Sequence, residues 1–112
     1  MLPSNLKSLH GLTLITNDVE TTNNISGIFA CDLLSHVMGF AKEGDILLTV
    51  LNNINVLGVA SLLDLSCVIF TYGIGVGSNL IDKANELEIP LYRTKLPTAD
   101  IVIALNKLGI AN

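Results

Sequence analysis

Apolar residues along this chain fall into short runs separated by polar turns, and the period of the runs switches between two and nearly four. Residues 12–15 (LTLI), 25–30 (ISGIFA), 45–50 (DILLTV), 67–71 (CVIFT) and 91–94 (LYRT) read as strands. The 45–50 and 67–71 runs are continuously apolar, as in strands covered on both faces. Gly27 inside the second run marks a close approach of backbone. Between the strands the spacing is helical. Leu33, Leu34, Val37 and Met38 share one helical face, with Asp32 placed as an N-cap and Gly39 or Gly44 as a stop. Residues 54–64 (INVLGVASLLD) give a second helix, whose small Gly58, Ala60 and Ser61 permit close packing on the sheet. Residues 80–88 give a third, capped by Ser78 or Asn79 and followed by Pro90, and residues 99–108 a fourth, capped by Thr98 and stopped by Gly109. A short leading helix over residues 5–10, capped by Ser4 and ended by Gly11, precedes them.

After that leading helix the order is β β α β α β α β α. Strand–helix alternation with runs apolar on both faces predicts a mostly parallel sheet of about five strands with helices on both sides. The expected fold is a three-layer α/β/α sandwich spanning residues 1–112 as one domain.

Composition sharpens this picture. Hydrophobic residues make up 50% of the 112 and charged residues 14%, against roughly 25% charged in an average soluble protein. Disorder is excluded, because a disordered chain has few apolar residues and many charges. So few charges leave apolar surface open on a monomer, which a second copy or another protein would cover. The net charge of −4, a single arginine (Arg93) and 4% aromatics without tryptophan disfavour nucleic-acid binding and polybasic membrane attachment. Residues 46–63 carry no charge, but Asn52, Asn53 and Asn55 at their middle argue for a strand, a turn and a helix over a membrane span. The first residues lack the basic start and apolar run of a secretory signal, so the cytoplasm is the expected compartment. Cys31 and Cys67 read as two free, buried thiols.

Three groups of residues bear on chemistry. Tyr72-Gly73-Ile74-Gly75-Val76-Gly77-Ser78 follows a strand and opens a helix, the context of a phosphate cradle. Its GxGxG spacing is neither the dinucleotide fingerprint nor a P-loop, and a tight turn with positive φ explains the glycines equally. Thr49, Asn52, Asn53 and Asn55 lie at the carboxyl end of a buried strand, where open α/β sheets bind ligands; Asn also favours turns and caps. Asp32, Ser35 and His36 form no nucleophile–base pair, since adjacent helical side chains diverge by about 100°; a capping acid and a solvated histidine fit them better. No metal set and no paired-acid set emerges.

The stretch from Ile25 through Gly73, with its DLLSHVMGF and INVLGVASLLDL segments, resembles the DRTGG domain, and the likeness continues through IDKANELEIPLYRT to KLGI. The resemblance implies a fold like the N-terminal domain of HPr kinase/phosphorylase and a place among modules of larger regulated enzymes. The charged Asp-Arg pair that names the family is missing, because LNNIN follows the 45–50 strand, and Thr71-Tyr72-Gly73 stands for Thr-Gly-Gly. The P-loop kinase domain of the HPr enzyme is missing too, so its kinase activity does not transfer. The expected function is a non-catalytic regulatory or interaction module, without cofactor or metal, acting as a homodimer or docked on a partner enzyme. The alternative is a sensor of an adenine nucleotide or phosphate compound at the carboxyl edge of the sheet. There Thr49, Asn52, Asn53, Asn55 and Thr71 would meet its polar edges, and Gly73, Gly75 and Gly77 its phosphate.

Overall fold

The sheet holds five strands: β1 (Thr13–Leu14), β2 (Gly27–Ala30), β3 (Asp45–Thr49), β4 (Cys67–Phe70) and β5 (Leu91–Arg93). The structure is a computed structural model and describes every residue except Glu20, Thr22 and Asn112. The strands run in the spatial order β1-β5-β4-β3-β2. β2 through β5 are parallel, and β1 pairs antiparallel with β5, Thr13 opposite Arg93 and Leu14 opposite Tyr92.

Helices α1 (Leu34–Phe40), α2 (Asn55–Leu62) and α3 (Ser78–Leu87) make the three crossovers, and α4 (Thr98–Lys107) follows β5. Because β2, β3, β4 and β5 follow one another across the sheet, right-handed crossovers put α1, α2 and α3 on a single face. Strand alternation divides the core accordingly. Leu47, Val68, Phe70 and Leu91 pack under α1–α3, around Val37, Leu57 and Leu80. Ile46, Leu48, Cys67, Ile69 and Tyr92 face the opposite side, where Leu6, Ile101 and Leu105 cover them. The result is the expected α/β/α sandwich, with the expected order of elements.

Local details depart from the sequence reading. The leading helix is a 3-10 helix over Pro3–Ser8, with proline in its first turn. Its entry is held by the Leu2 N–H donating to Asn5 Oδ1 at 2.8 Å, not by Ser4. None of α1 to α4 has a side-chain N-cap: the cap positions belong to Leu33, Ile54, Gly77 and Pro97. Two of the predicted caps, Asp32 and Thr98, have distant partners instead. Asp32 Oδ1 accepts from Thr49 Oγ1 at 2.9 Å and from Val50 N at 2.8 Å. Thr98 is the first residue of its helix and its hydroxyl bonds that of Thr71 at 2.7 Å. α1 runs through Gly39 to Phe40 and buries Val37 alone, leaving Leu33 and Met38 of the predicted face in solvent. Gly58 and Ser61 also face outward, and a Cβ on Gly58 would meet nothing, so Ala60 supplies the close packing of α2.

Gly27 behaves as expected, since a Cβ there would stand 2.7 Å from Asp45 Oδ1. Cys67 is buried and free, and burial pushes its thiol up to about 12 against a weaker opposing hydrogen bond from Ser66. Cys31 is free but half-buried.

Three helices end alike. After α2, α3 and α4 the residues Asp64, Glu88 and Gly109 take positive φ of 53°, 56° and 96°. Each donates its N–H to a carbonyl in the last turn, and the following Leu65, Ile89 and Ile110 donate to Ala60, Ala84 and Leu105. This is the Schellman arrangement, and the residue after the turn is buried each time. Gly109 fulfils the sequence expectation; Asp64 and Glu88 adopt the same backbone despite carrying a Cβ.

Candidate functional site

The parallel strands point their carboxyl ends to one edge of the sheet, and the ligand-binding residues proposed from sequence lie at those strand ends and in the loops that lead from them into α2 and α3. The structure brings Thr49, Asn52, Asn53, Thr71, Gly73 and Gly75 along this edge, while Asn55 and Gly77 lie where their loops pass into α2 and α3. Much of their hydrogen-bonding capacity is used within the fold. Thr49 is buried, donating to Asp32 and accepting from Leu51 N at 3.1 Å. Asn52 Nδ2 donates to Gly75 O at 2.8 Å, tying the β3–α2 loop to the glycine-rich loop. Asn53 Oδ1 accepts from Asn55 N at 3.0 Å, the Asx turn that starts α2. Thr71 is buried and joined to Thr98.

The glycine-rich loop is fastened in the same way. Tyr72 and Gly73 carry positive φ of 61° and 66°, so the tight-turn reading holds for its first half. The Tyr72 N–H donates to Leu96 O at 3.0 Å and the Gly73 N–H to Thr94 O at 2.9 Å. Arg93 then caps the turn from the next strand: its Nε donates to Ile74 O at 2.8 Å and a terminal nitrogen to Gly73 O at 3.0 Å. The loop thus turns carbonyls toward a guanidinium, the opposite polarity from a cradle in which converging N–H groups surround an anion.

In open α/β sheets a crevice forms where the loops leaving adjacent strands diverge to opposite faces. Here that place lies between β4, which leads to α3, and β5, which leads to α4. The Tyr72, Gly73, Thr71 and Arg93 bonds described above sew it shut. One strand further out a cleft does remain. It has a volume of about 420 Å³ and lies between the turn before β1 and the end of β5, where His10, Thr13, Ile15, Arg93, Lys95 and Leu96 line it. Sequence reading did not single out this set. Its one signal is the basic pair Arg93, which ends β5, and Lys95 in the bend that follows.

The Asp32–Ser35–His36 group holds no catalytic pair. Asp32 turns to β3 rather than to His36, and the imidazole sits 4.5 Å from the Phe40 ring centroid and 6.1 Å from that of Phe29. No group of three or more His, Cys, Asp or Glu converges as metal ligands among the described residues. No helix among them is long and apolar enough to cross a membrane.

Among solved structures, the chain aligns with the CBS and DRTGG domains of the regulatory region of Clostridium perfringens pyrophosphatase, complexed with the activator diadenosine tetraphosphate. The TM-score is 0.66 at 16% identity, over 92% of this chain and 46% of that one. The fold is DRTGG-like. The chain thus spans less than half the length of its structural neighbour, which is a regulatory region and not a catalytic domain. No family model matches the sequence, and no curated protein matches it.

The DRTGG-like fold leaves its second surface feature at the other end of the sheet. Among the described residues β2 pairs only with β3, so from Gly27 to Ala30 its outer side is a free edge, while just before it the Ile25 N–H donates to Met1 O at 2.7 Å. Cys31 N donates to Leu48 O, and alternation then turns the backbone groups of Ile28 and Ala30 toward that edge. Apolar side chains flank it on both faces. On one, Leu33 just before α1 and Phe40 at its end are 62% and 64% accessible; on the other, a groove of about 380 Å³ runs past Ile28, Ala30, Val102 and Ile103.

Proposed function

We propose that this chain is a non-catalytic regulatory module that acts as a homodimer through the β2 edge. The observation carrying the proposal is the uncharged, unpaired edge strand, flanked by exposed Leu33 and Phe40 on one face and Ile103 on the other. Monomeric proteins protect such edges with lysine, proline, bulges or a covering loop, and the ISGIFA segment contains no charge and no proline. Two β2 strands related by a twofold axis would pair antiparallel into a continuous sheet. Phe40 and Ile103 of each copy would then pack against the other in an isologous contact. The contact joins backbone hydrogen bonds to apolar burial, as in strand addition.

Sedimentation velocity across a concentration series into the high micromolar range tests this. The native chain is expected to sediment as a dimer. Phe40→Lys and Ile103→Lys, both at exposed positions, are expected to weaken the dimer at least about tenfold, or 1.4 kcal/mol, without lowering Tm in the monomeric range. A native chain that stays monomeric throughout rejects self-association and leaves docking on a partner enzyme as the use of this edge.

A second reading, a sensor of an adenine nucleotide or related phosphate compound, has its own support. The aligned regulatory region was solved with a dinucleoside polyphosphate activator, and this chain also offers a cleft at the carboxyl edge of its sheet.

A further inference from the structure

We infer that the cleft between β1 and β5 is a binding site for an organic phosphate the size of a mononucleotide, with Arg93, Lys95 and His10 around its phosphate. The inference rests on the sensor reading and moves its site away from the Asn and glycine turns. It does not depend on self-association at the opposite edge.

The cleft follows from the topology. Three crossovers on one face cover the span from β2 to β5, and β1, added antiparallel outside β5, has no helix over it on that face among the described residues. Tyr92 and its partner Leu14 face the α4 side. Alternation therefore turns Arg93, and Thr13 opposite it, to the uncovered side. The turn before β1 closes the cleft at close range: a Cβ on Gly11, whose φ is +85°, would stand 3.2 Å from Leu96 Cδ1.

Charge and shape point to the ligand class. The chain carries −4 overall and six Lys and Arg. The cleft takes two of the six, Arg93 and Lys95, adds His10, and contains no Asp or Glu. Arg93 is held in place by its two bonds to the glycine-rich loop, which leaves three of its five N–H groups for a phosphate. Lys95 and His10 make no ion pair among the described residues. Leu12, Ile15 and Leu96 provide apolar wall. About 420 Å³ of mostly apolar cleft with a few polar groups is within the range of small-molecule sites and suits a planar base beside its phosphate.

The test is isothermal titration of the full chain with the four common nucleoside monophosphates and with inorganic phosphate, at two salt concentrations. At least one monophosphate is expected to bind saturably and more weakly at high salt, with inorganic phosphate competing. Lys95→Ala is expected to weaken it about fivefold and Lys95→Glu about twentyfold. Thr13→Trp, at an exposed edge position, should abolish binding by filling the cleft. All three variants should keep the native Tm, so lost binding is not lost fold. If every monophosphate fails to bind, or binds Lys95→Glu as tightly as the native chain, the inference is overturned. If instead binding survives Lys95→Glu and is lost in Asn53→Ala and Gly75→Val, the sensor reading stands at the β3 and β4 loops and this site falls.

Discussion

Replacing Glu88 by glycine should stabilise this protein, although it deletes a side chain and adds none. Glu88 ends α3 at φ 56° and ψ 39°, in the left-handed region. There the Cβ of an L-residue crowds the following carbonyl, at about 1–2 kcal/mol. Both hydrogen bonds of the turn, Glu88 N to Asn85 O and Ile89 N to Ala84 O, belong to the backbone and survive the change. Among the described residues the carboxylate makes no ion pair. Against the strain released stands the added freedom of glycine in the unfolded chain, about 0.4–1 kcal/mol. The net expectation is about 0.5–1 kcal/mol of added stability, which in a domain of this size raises Tm by about 3–6 °C. Gly109 is the internal control: it ends α4 with the same two bonds at φ 96°, so Gly109→Ala should lose a similar amount. Thermal melts followed by circular dichroism, with urea titrations for free energies, measure both. A Glu88→Gly variant that is folded yet less stable than the native chain would refute the reasoning.

Two further outcomes follow from the hydrogen bonds and from burial. Asp32→Ala strips Thr49 Oγ1 and Val50 N of their shared acceptor and should cost about 1–2 kcal/mol, moderated because Asp32 is exposed and water can enter. Asp32→Asn keeps an oxygen in place and should cost less than half as much in urea unfolding, and equal losses would contradict the assignment. Stability should also fall on the alkaline side. Burial raises the Cys67 thiol from 9.0 to about 12 and raises the Tyr92 phenol too, its hydroxyl donating to Pro3 O at 2.7 Å. Both groups keep their protons in the folded state while the unfolded chain releases them. The Cys67 contribution is therefore complete below about pH 9 and that of Tyr92 below about pH 10, and each declines above that pH by up to about 1.4 kcal/mol per pH unit. Cys67→Ala should flatten that decline in pH-dependent urea unfolding, and an unchanged slope would show that the thiol has no part in it.

The order of elements and the layering were legible because each strand states its two faces in a few residues, as Ile46, Leu47 and Leu48 do. Several of the turns also carry their own Gly, Asn or Pro, as Gly44, Asn52–Asn53 and Pro90 show. What stayed hidden was what distance in sequence conceals. Asp32 and Thr98 satisfy the local rule for an N-cap, yet their oxygens go to Thr49, Val50 and Thr71, because tertiary partners at a strand end compete with the first turn of the neighbouring helix. The glycine-rich loop looked like a cradle for an anion because its spacing says nothing of Arg93, which reaches it from the following strand and reverses its polarity. The cleft at β1 and β5 escaped for a related reason. Half of it comes from residues 10–15 and half from residues 93–96, and only an antiparallel pairing brings them together.

That pairing also bears on how the molecule breathes. β1 consists of two residues on an outer edge and is fastened by little beyond its ladder with β5, Ile15 N on Leu91 O and Leu91 N on Thr16 Oγ1. The segment before it leans on the same strand through Tyr92 and Pro3. Residues 13–16 therefore form a short strap that can fray from β5 while the four parallel strands, their helices and the buried Leu6 and Leu12 stay in place, a local opening. Such an opening dismantles the β1–β5 cleft. During folding the strap must wait until β5 exists, since Thr13 meets a partner 80 positions further along, so it docks late. Amide exchange at residues 13–15, faster than in β3 or β4, would follow this motion directly, and any molecule seated against Arg93 and Lys95 would slow it.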